Sequence, residues 1–161
     1  MLKSRIKENI KAISLVLFII ASAKFASTKV IIAVNQSTSL KGKIFLGIKG
    51  SEVSRGNIVI VQLQNNAHYG NARFTKIVTG VPGDIIEKQA DNFFINGEFA
   101  AYAKKNTPKQ TPLQSLEVVG NKIPENHFFL TTKHENSYDS RYDSFGYIPS
   151  SWVIARAYRI F

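Results

Sequence analysis

Phe74-Thr75-Lys76-Ile77-Val78-Thr79-Gly80-Val81-Pro82-Gly83-Asp84-Ile85-Ile86-Glu87 carries the signature of a strand that runs into a tight turn and starts again. Phe74 to Val78 is apolar and β-branched around a single Lys. Gly80-Val81-Pro82-Gly83-Asp84 then gathers two Gly, a Pro and an Asp, each of which answers a particular backbone demand. Ile85 to Glu87 resumes the strand pattern.

The same alternation extends outward in both directions. Upstream lie Asn57 to Gln62, Lys43 to Ile48 and Val30 to Val34, separated by Arg55-Gly56, Gly50 and Asn35. Downstream, Asn92 to Ile95 and Phe99 to Tyr102 flank Asn96-Gly97, the strongest short hairpin signal. Lys104 to Leu113 is polar and contains Pro, which predicts an exposed loop. His127 to Thr131 and Trp152 to Ile160 are further strands. No helical period follows Val30 and no repeat occurs, so the expected fold is mainly β, an antiparallel sheet closed or sandwiched on itself, after one N-terminal apolar helix.

That helix is announced by charge. Lys3, Arg5, Lys7 and Lys11 precede the apolar run Ala12 to Ala23, a basic flank before an apolar segment that marks an export or anchor signal. Two readings remain open. One is a retained anchor over roughly Ile10 to Ala26, with Lys24 snorkelling to the headgroups; the other is a signal peptide removed after Ala21-Ser22-Ala23. Both keep the positive flank in the cytoplasm and place the chain after Val30 outside it. The expected division is therefore 1–29, basic flank and membrane segment, and 30–161, a β-rich domain.

Composition narrows the chemistry. The 161 residues include no Cys, which excludes disulfides, thiolate metal sites and a Cys nucleophile. His68, His127 and His134 are too scattered to predict a zinc site. A net charge of +10 favours an anionic partner. No Lys/Arg tract interleaved with aromatics stands out, so a membrane-facing basic surface is favoured over a nucleic-acid groove.

Four short blocks resemble bacterial type I signal peptidases and, more closely, the TraF-like peptidases of conjugative transfer systems, over most of the chain from Asn35 onward. Asn35-Gln36-Ser37-Thr38-Ser39-Leu40-Lys41-Gly42-Lys43-Ile44-Phe45 is similar to the pattern N-x-T-x-S-x-P-x-G-L-Y, with Lys41 in place of Pro and Lys43 in place of Gly. Arg55-Gly56-Asn57-Ile58-Val59 resembles R-G-D-x-V and reads as structural. Lys76 to Asp84 resembles K-R-x-x-G-x-P-G-D. Asn136-Ser137-Tyr138-Asp139-Ser140-Arg141-Tyr142 resembles S-x-D-S-R-Y, with Asp143-Ser144 inserted before Phe145-Gly146 and Lys133-His134-Glu135 where G-D-N-R is common.

The resemblance implies a signal-peptidase or LexA-like β-fold and a serine endopeptidase with Ser39 as nucleophile and Lys76 as general base. A Lys facing inward from an apolar strand loses hydration and its pKa falls, as a base working near neutrality requires. Ser37 would assist the oxyanion, Ser137 would hydrogen-bond the Lys amine, and Asp139 would anchor Arg141. No cofactor or metal is implied. The implied partners are a signal peptide or pilin precursor, inner-membrane lipid and the conjugation apparatus, with the catalytic domain on the periplasmic side. A housekeeping signal peptidase is the nearest alternative. A non-catalytic basic β-domain that binds nucleic acid or anionic membrane, and a LexA-like self-cleaving regulator, are the others.

Overall fold

The computed structural model describes residues 2–105 and 112–161. Among them, helix α1 (Leu2–Lys29) leads into strands β1 (Val30–Val34), β2 (Ile44–Ile48), β3 (Ile58–Gln62), β4 (Arg73–Gly80) and β5 (Ile86–Gln89). Strands β6 (Asn92–Ile95), β7 (Glu98–Tyr102), β8 (His127–Thr131), β9 (Ile148–Pro149) and β10 (Val153–Arg159) follow, with one 3₁₀ turn at Ser150–Trp152.

The stretch Asn9–Lys29 within α1 has 21 residues, a mean hydropathy of 1.8 and no side chain buried against the protein. At 1.5 Å per residue it extends about 32 Å, enough to cross a hydrocarbon core of about 30 Å. Its Ile, Leu and Phe side chains stand exposed, as they would toward lipid.

The strands form a seven-stranded antiparallel sheet in the order β1-β2-β10-β3-β4-β8-β9 and a three-stranded sheet in the order β5-β6-β7. Ile58-Val59-Ile60-Val61 on β3 is apolar at every position because the strand is covered on both faces. Val59 and Val61 pack into the main core with Val78, Phe93, Phe129 and Leu130. Ile60 points the other way, into a smaller cluster with Phe45, Ala155 and Ala157. Asn96 and Gly97 both take positive φ, 51° and 81°, as the two-residue turn of the β6–β7 hairpin needs.

Strand edges differ from the sequence reading by one or two residues. β4 runs two residues further than expected, through Thr79 and Gly80, with a register shift against β8 between Val78 and Gly80. β9 has two residues, too few to leave a periodic signal. The loop expected over Lys104–Leu113 lies mostly outside the described residues. Its far end departs from the expectation, since Leu113 is buried in the main core rather than exposed.

The turn after β4 joins the two sheets. Asp84 accepts the Val81 N–H at 2.7 Å, the Asn96 side-chain amide at 3.0 Å and the Arg55 guanidinium at 2.5 Å. Arg55 thus ties the Arg55-Gly56-Asn57 block to the Gly80–Asp84 turn. Gly80 is required for space, because an added Cβ would lie 2.2 Å from Ile123 Cδ1 and 3.2 Å from Phe129 Cβ. Gly80→Ala should therefore cost about 1–3 kcal/mol of stability by overpacking. A urea melt checks this; an unchanged midpoint would show that Ile123 yields freely.

Candidate active site

β4 sets Lys76 directly opposite Val59 on β3, on the face that meets the main core. The side chain is 2% exposed. β8 lies on the other side of β4, and the chain leaving it folds back over residues 132–141. The Ser140 N–H donates to the Leu130 carbonyl, and the Leu130 N–H donates to Ser140 Oγ. This return brings Ser137 under Lys76, and Lys76 Nζ donates to Ser137 Oγ at 2.7 Å.

The return loop is pinned by a buried ion pair. Arg141 Nε donates to Asp139 Oδ1 at 2.7 Å and Nη2 to Oδ2 at 3.0 Å, a two-pronged contact with both side chains almost wholly buried. The remaining guanidinium donors reach the carbonyls of Thr132 and Tyr102, each at 2.9 Å, and of Glu135 at 3.4 Å. Asp139 Oδ2 also accepts the Thr132 N–H. A charge pair buried this deeply is tolerable because nearly every polar atom has a partner.

Burial pushes the Lys76 amine down from 10.5 to about 8. Asp139 opposes this by attracting the ammonium and Arg141 reinforces it by repulsion, both more weakly than burial. Neutral amine is therefore plentiful near pH 8, whereas a solvated Lys would have very little.

Ser39 lies on the turn between β1 and β2, and Asn35 builds that turn. Its Oδ1 accepts the Ser37 N–H at 3.1 Å and the Ser37 hydroxyl at 3.0 Å. Its Nδ2 donates to the carbonyls of Leu40 and Gly42, both at 3.1 Å. The Ser39 N–H makes only a long contact, 3.4 Å, to Ser37 Oγ. That N–H is thus lightly held and available to an incoming anion, while the Ser37 O–H is engaged by Asn35.

Ser39, Ser37 and Lys76 line one cavity of about 510 Å³, with Asn35, Arg73, Tyr69 and Tyr138 among its other walls. Among the described residues, no hydrogen bond joins Lys76 to Ser39, and the amine points to Ser137 instead. Asp139 and Arg141 stand behind the return loop and do not line the cavity. The arrangement unites a hydroxyl on an exposed turn, a weakly basic amine in a dry wall and a loosely held backbone N–H, the parts that acyl transfer requires.

Known proteins resemble this chain over much of its length. A family profile described as signal peptidase, peptidase S26, matches residues 4–161. The chain belongs to the S26 signal peptidase family. Signal peptidase I P of Bacillus subtilis subsp. natto is 31% identical over 96 residues, which cover 56% of this chain and 50% of that protein. Signal peptidase I T of Bacillus subtilis strain 168 is 27% identical over 117 residues, 68% of this chain and 58% of that protein. The chain thus spans about half the length of the curated relatives it matches. A crystal structure of a signal peptidase I from Enterococcus faecalis V583 aligns at a TM-score of 0.44 and 24% identity, over 66% of this chain and 97% of that one.

Several site residues escaped the sequence reading. Thr38 Oγ1 lies 3.3 Å from His134 Nε2, a link across 96 positions that no local pattern announces. The Asn136 N–H donates to His134 Nδ1, so the neutral ring carries its proton on Nε2 and donates to Thr38. Arg73 and Tyr69 enter the cavity from the chain around the start of β4, which read only as strand and loop. Asn35 was read as a turn former that ends the first strand; that its side chain holds the Ser37–Gly42 turn was not.

Two outcomes follow for stability. Asp139→Asn leaves a buried Arg141 without its counter-charge and should cost about 3–5 kcal/mol; a melt within 1 °C of wild type would contradict the pinning role. Lys76→Met should act in the opposite sense. Because the folded pKa lies below the unfolded one, the cost of burying the ammonium is fully present below pH 8 and disappears as pH rises toward 10.5. The Met variant should then be more stable by up to about 3 kcal/mol at pH 7, with the gain shrinking above pH 8. Denaturant titration at several pH values checks this.

Proposed function

We propose that this chain is a membrane-anchored serine endopeptidase that removes signal peptides from exported proteins, with Ser39 as nucleophile and Lys76 as general base. The observation that supports it most is the sharing of one cavity by Ser39 and an amine whose pKa burial lowers to about 8.

The steps require no group beyond these side chains and water. Neutral Lys76 removes the Ser39 hydroxyl proton as Oγ bonds to the scissile carbonyl carbon. The Ser39 N–H and, once it turns from Asn35, the Ser37 hydroxyl hold the oxyanion, each such donor contributing about 3–4 kcal/mol. The C–N bond breaks as the Lys76 ammonium passes its proton to the departing amine. Lys76, neutral again, then takes a proton from the water that attacks the acyl ester and returns it to Ser39 Oγ as the ester C–O bond breaks. Ser137 aims the amine throughout, since catalytic hydrogen bonds tighten with substrate in place. Helix α1 would hold the domain at the outer face of the inner membrane, its basic flank on the cytoplasmic side.

A narrower reading is that the substrate is a pilin or another component of a conjugative secretion system. The spacing Asn35-x-Ser37-x-Ser39, which resembles the TraF-like pattern, favours it. A housekeeping role fits the S26 relatives equally well. Processing of a panel of ordinary exported precursors, set against a pilin precursor, separates the two.

Ser39→Ala or Lys76→Ala should lower processing in membranes by ~10³-fold or more while the protein still accumulates. Lys76→Arg should be equally inactive, because a guanidinium keeps its proton. Processing by the Arg variant at the wild-type rate would end the general-base assignment. For the wild-type enzyme, kcat/KM should climb about tenfold per pH unit up to about pH 8 and level off above it, as the neutral amine becomes the dominant form. A profile that levels off at pH 6 would point to a different base.

A further inference from the structure

Ser39 lines two cavities. One is the cleft it shares with Lys76. The other, of about 400 Å³, is lined by Thr38, Ser39, Leu40 and Lys41 of the same turn. Its apolar part is Leu40 and Ile77 and its basic part is Lys41, Lys133 and His134. The contact from His134 Nε2 to Thr38 Oγ1 closes one wall by joining the nucleophile turn to the return loop.

No Asp or Glu lines this cavity. Lys41 and Lys133 are exposed, and neither forms an ion pair among the described residues. The acidic residue nearest in sequence, Glu135, is bound to Lys104 at 3.0 Å. Two free ammonium groups therefore rim an apolar hollow that begins at the nucleophile. Solvation alone would account for two lysines on an open surface. Here they line a cavity that Ser39 also lines, and an extended peptide rises about 3.3 Å per residue, so a substrate whose scissile carbonyl sits at Ser39 reaches this cavity within a residue or two of the cut.

We propose that this second cavity is a subsite for an acidic substrate side chain next to the scissile bond, its carboxylate held by Lys41 and Lys133 and its methylene stem resting on Leu40 and Ile77. The proposal rests on the assignment of Ser39 as nucleophile. It gives Lys41, which stands where TraF-like peptidases carry Pro, a positive role in selecting substrate. The pairing is partly solvated, so its effect is modest and falls with salt.

The test uses the full chain in neutral detergent micelles and a set of peptides that differ at one position only. Asp, Asn and Lys are placed in turn at each of the positions flanking the cut. At one or two adjacent positions on one side, Asp should be preferred over Asn by about three- to tenfold in kcat/KM, mainly through KM. The preference should shrink as salt rises from about 50 mM to about 500 mM. In the double variant Lys41→Gln/Lys133→Gln the Asp/Asn ratio should fall to about one. Lys133→Glu should move the preference toward Lys, a reversal that a folding defect does not produce. An enzyme that cuts these peptides with no charge preference at any position overturns the subsite. So does a preference that survives the double variant. An effect of the lysines seen only on vesicles of anionic lipid, whatever the peptide charge, would reassign them to the membrane. Failure to cut any peptide, with Ser39→Ala matching wild type on a full-length precursor, would sink the peptidase reading and the subsite with it.

Discussion

An amine kept in a dry wall without a counter-ion of its own is the constraint around which the rest is arranged. Lys76 faces the main core because β4 is paired with β3, and Val59 sits opposite it. Such a site would normally recruit a carboxylate to keep the ammonium charged, and Asp139 is near enough to pull in that direction. Arg141 prevents it. Its guanidinium takes both oxygens of Asp139, so the negative charge is spent within the return loop and burial prevails at Lys76. One ion pair thus shapes the loop that presents Ser137 and also withholds charge from the base. Hydrophobic residues of equal volume would also leave the amine without a counter-charge, but they could not hold the Thr132, Tyr102 and Glu135 carbonyls that shape the loop.

The proposed nucleophile has the opposite environment. Ser39 sits on an exposed turn held by a single Asn side chain through four contacts. Such a turn can adjust by small amounts, and the amine cannot. In the proposed mechanism, bringing hydroxyl and amine within bonding distance is therefore asked of this turn, which the Thr38–His134 contact ties to the return loop. Chemistry at one carbonyl needs a rigid base and an accessible nucleophile, and the fold draws them from two distant stretches of chain.

Much of this was legible in the sequence wherever the signal is local. β-Branched runs gave the strands, Asn96-Gly97 gave the hairpin, and the Gly80–Asp84 turn gave the position of the Lys ahead of it. A basic flank before an apolar run marked the helix. The blocks around Ser39, Lys76 and Asp139 could be placed through their likeness to a known family. What stayed hidden is non-local or too short to be periodic. Thr38 meets His134 only because the return loop folds back on β8, and β9 is two residues long. The extension of β4 through Gly80 depends on a register shift against β8 and on the room Gly80 leaves for Ile123. Leu113, in a segment polar by composition, is buried because the main core needs an apolar group there, a matter of packing and not of pattern.

The most direct measurement is the ionisation of Lys76 itself. With lysine labelled at Cε and the protein in detergent micelles, the shift of each Lys signal can be followed with pH and the Lys76 signal assigned by its loss in Lys76→Ala. A Lys76 signal that titrates at about 8 is the result expected. A Lys76 that keeps its proton up to pH 10 would show that burial leaves the amine charged, and it could not serve as the base.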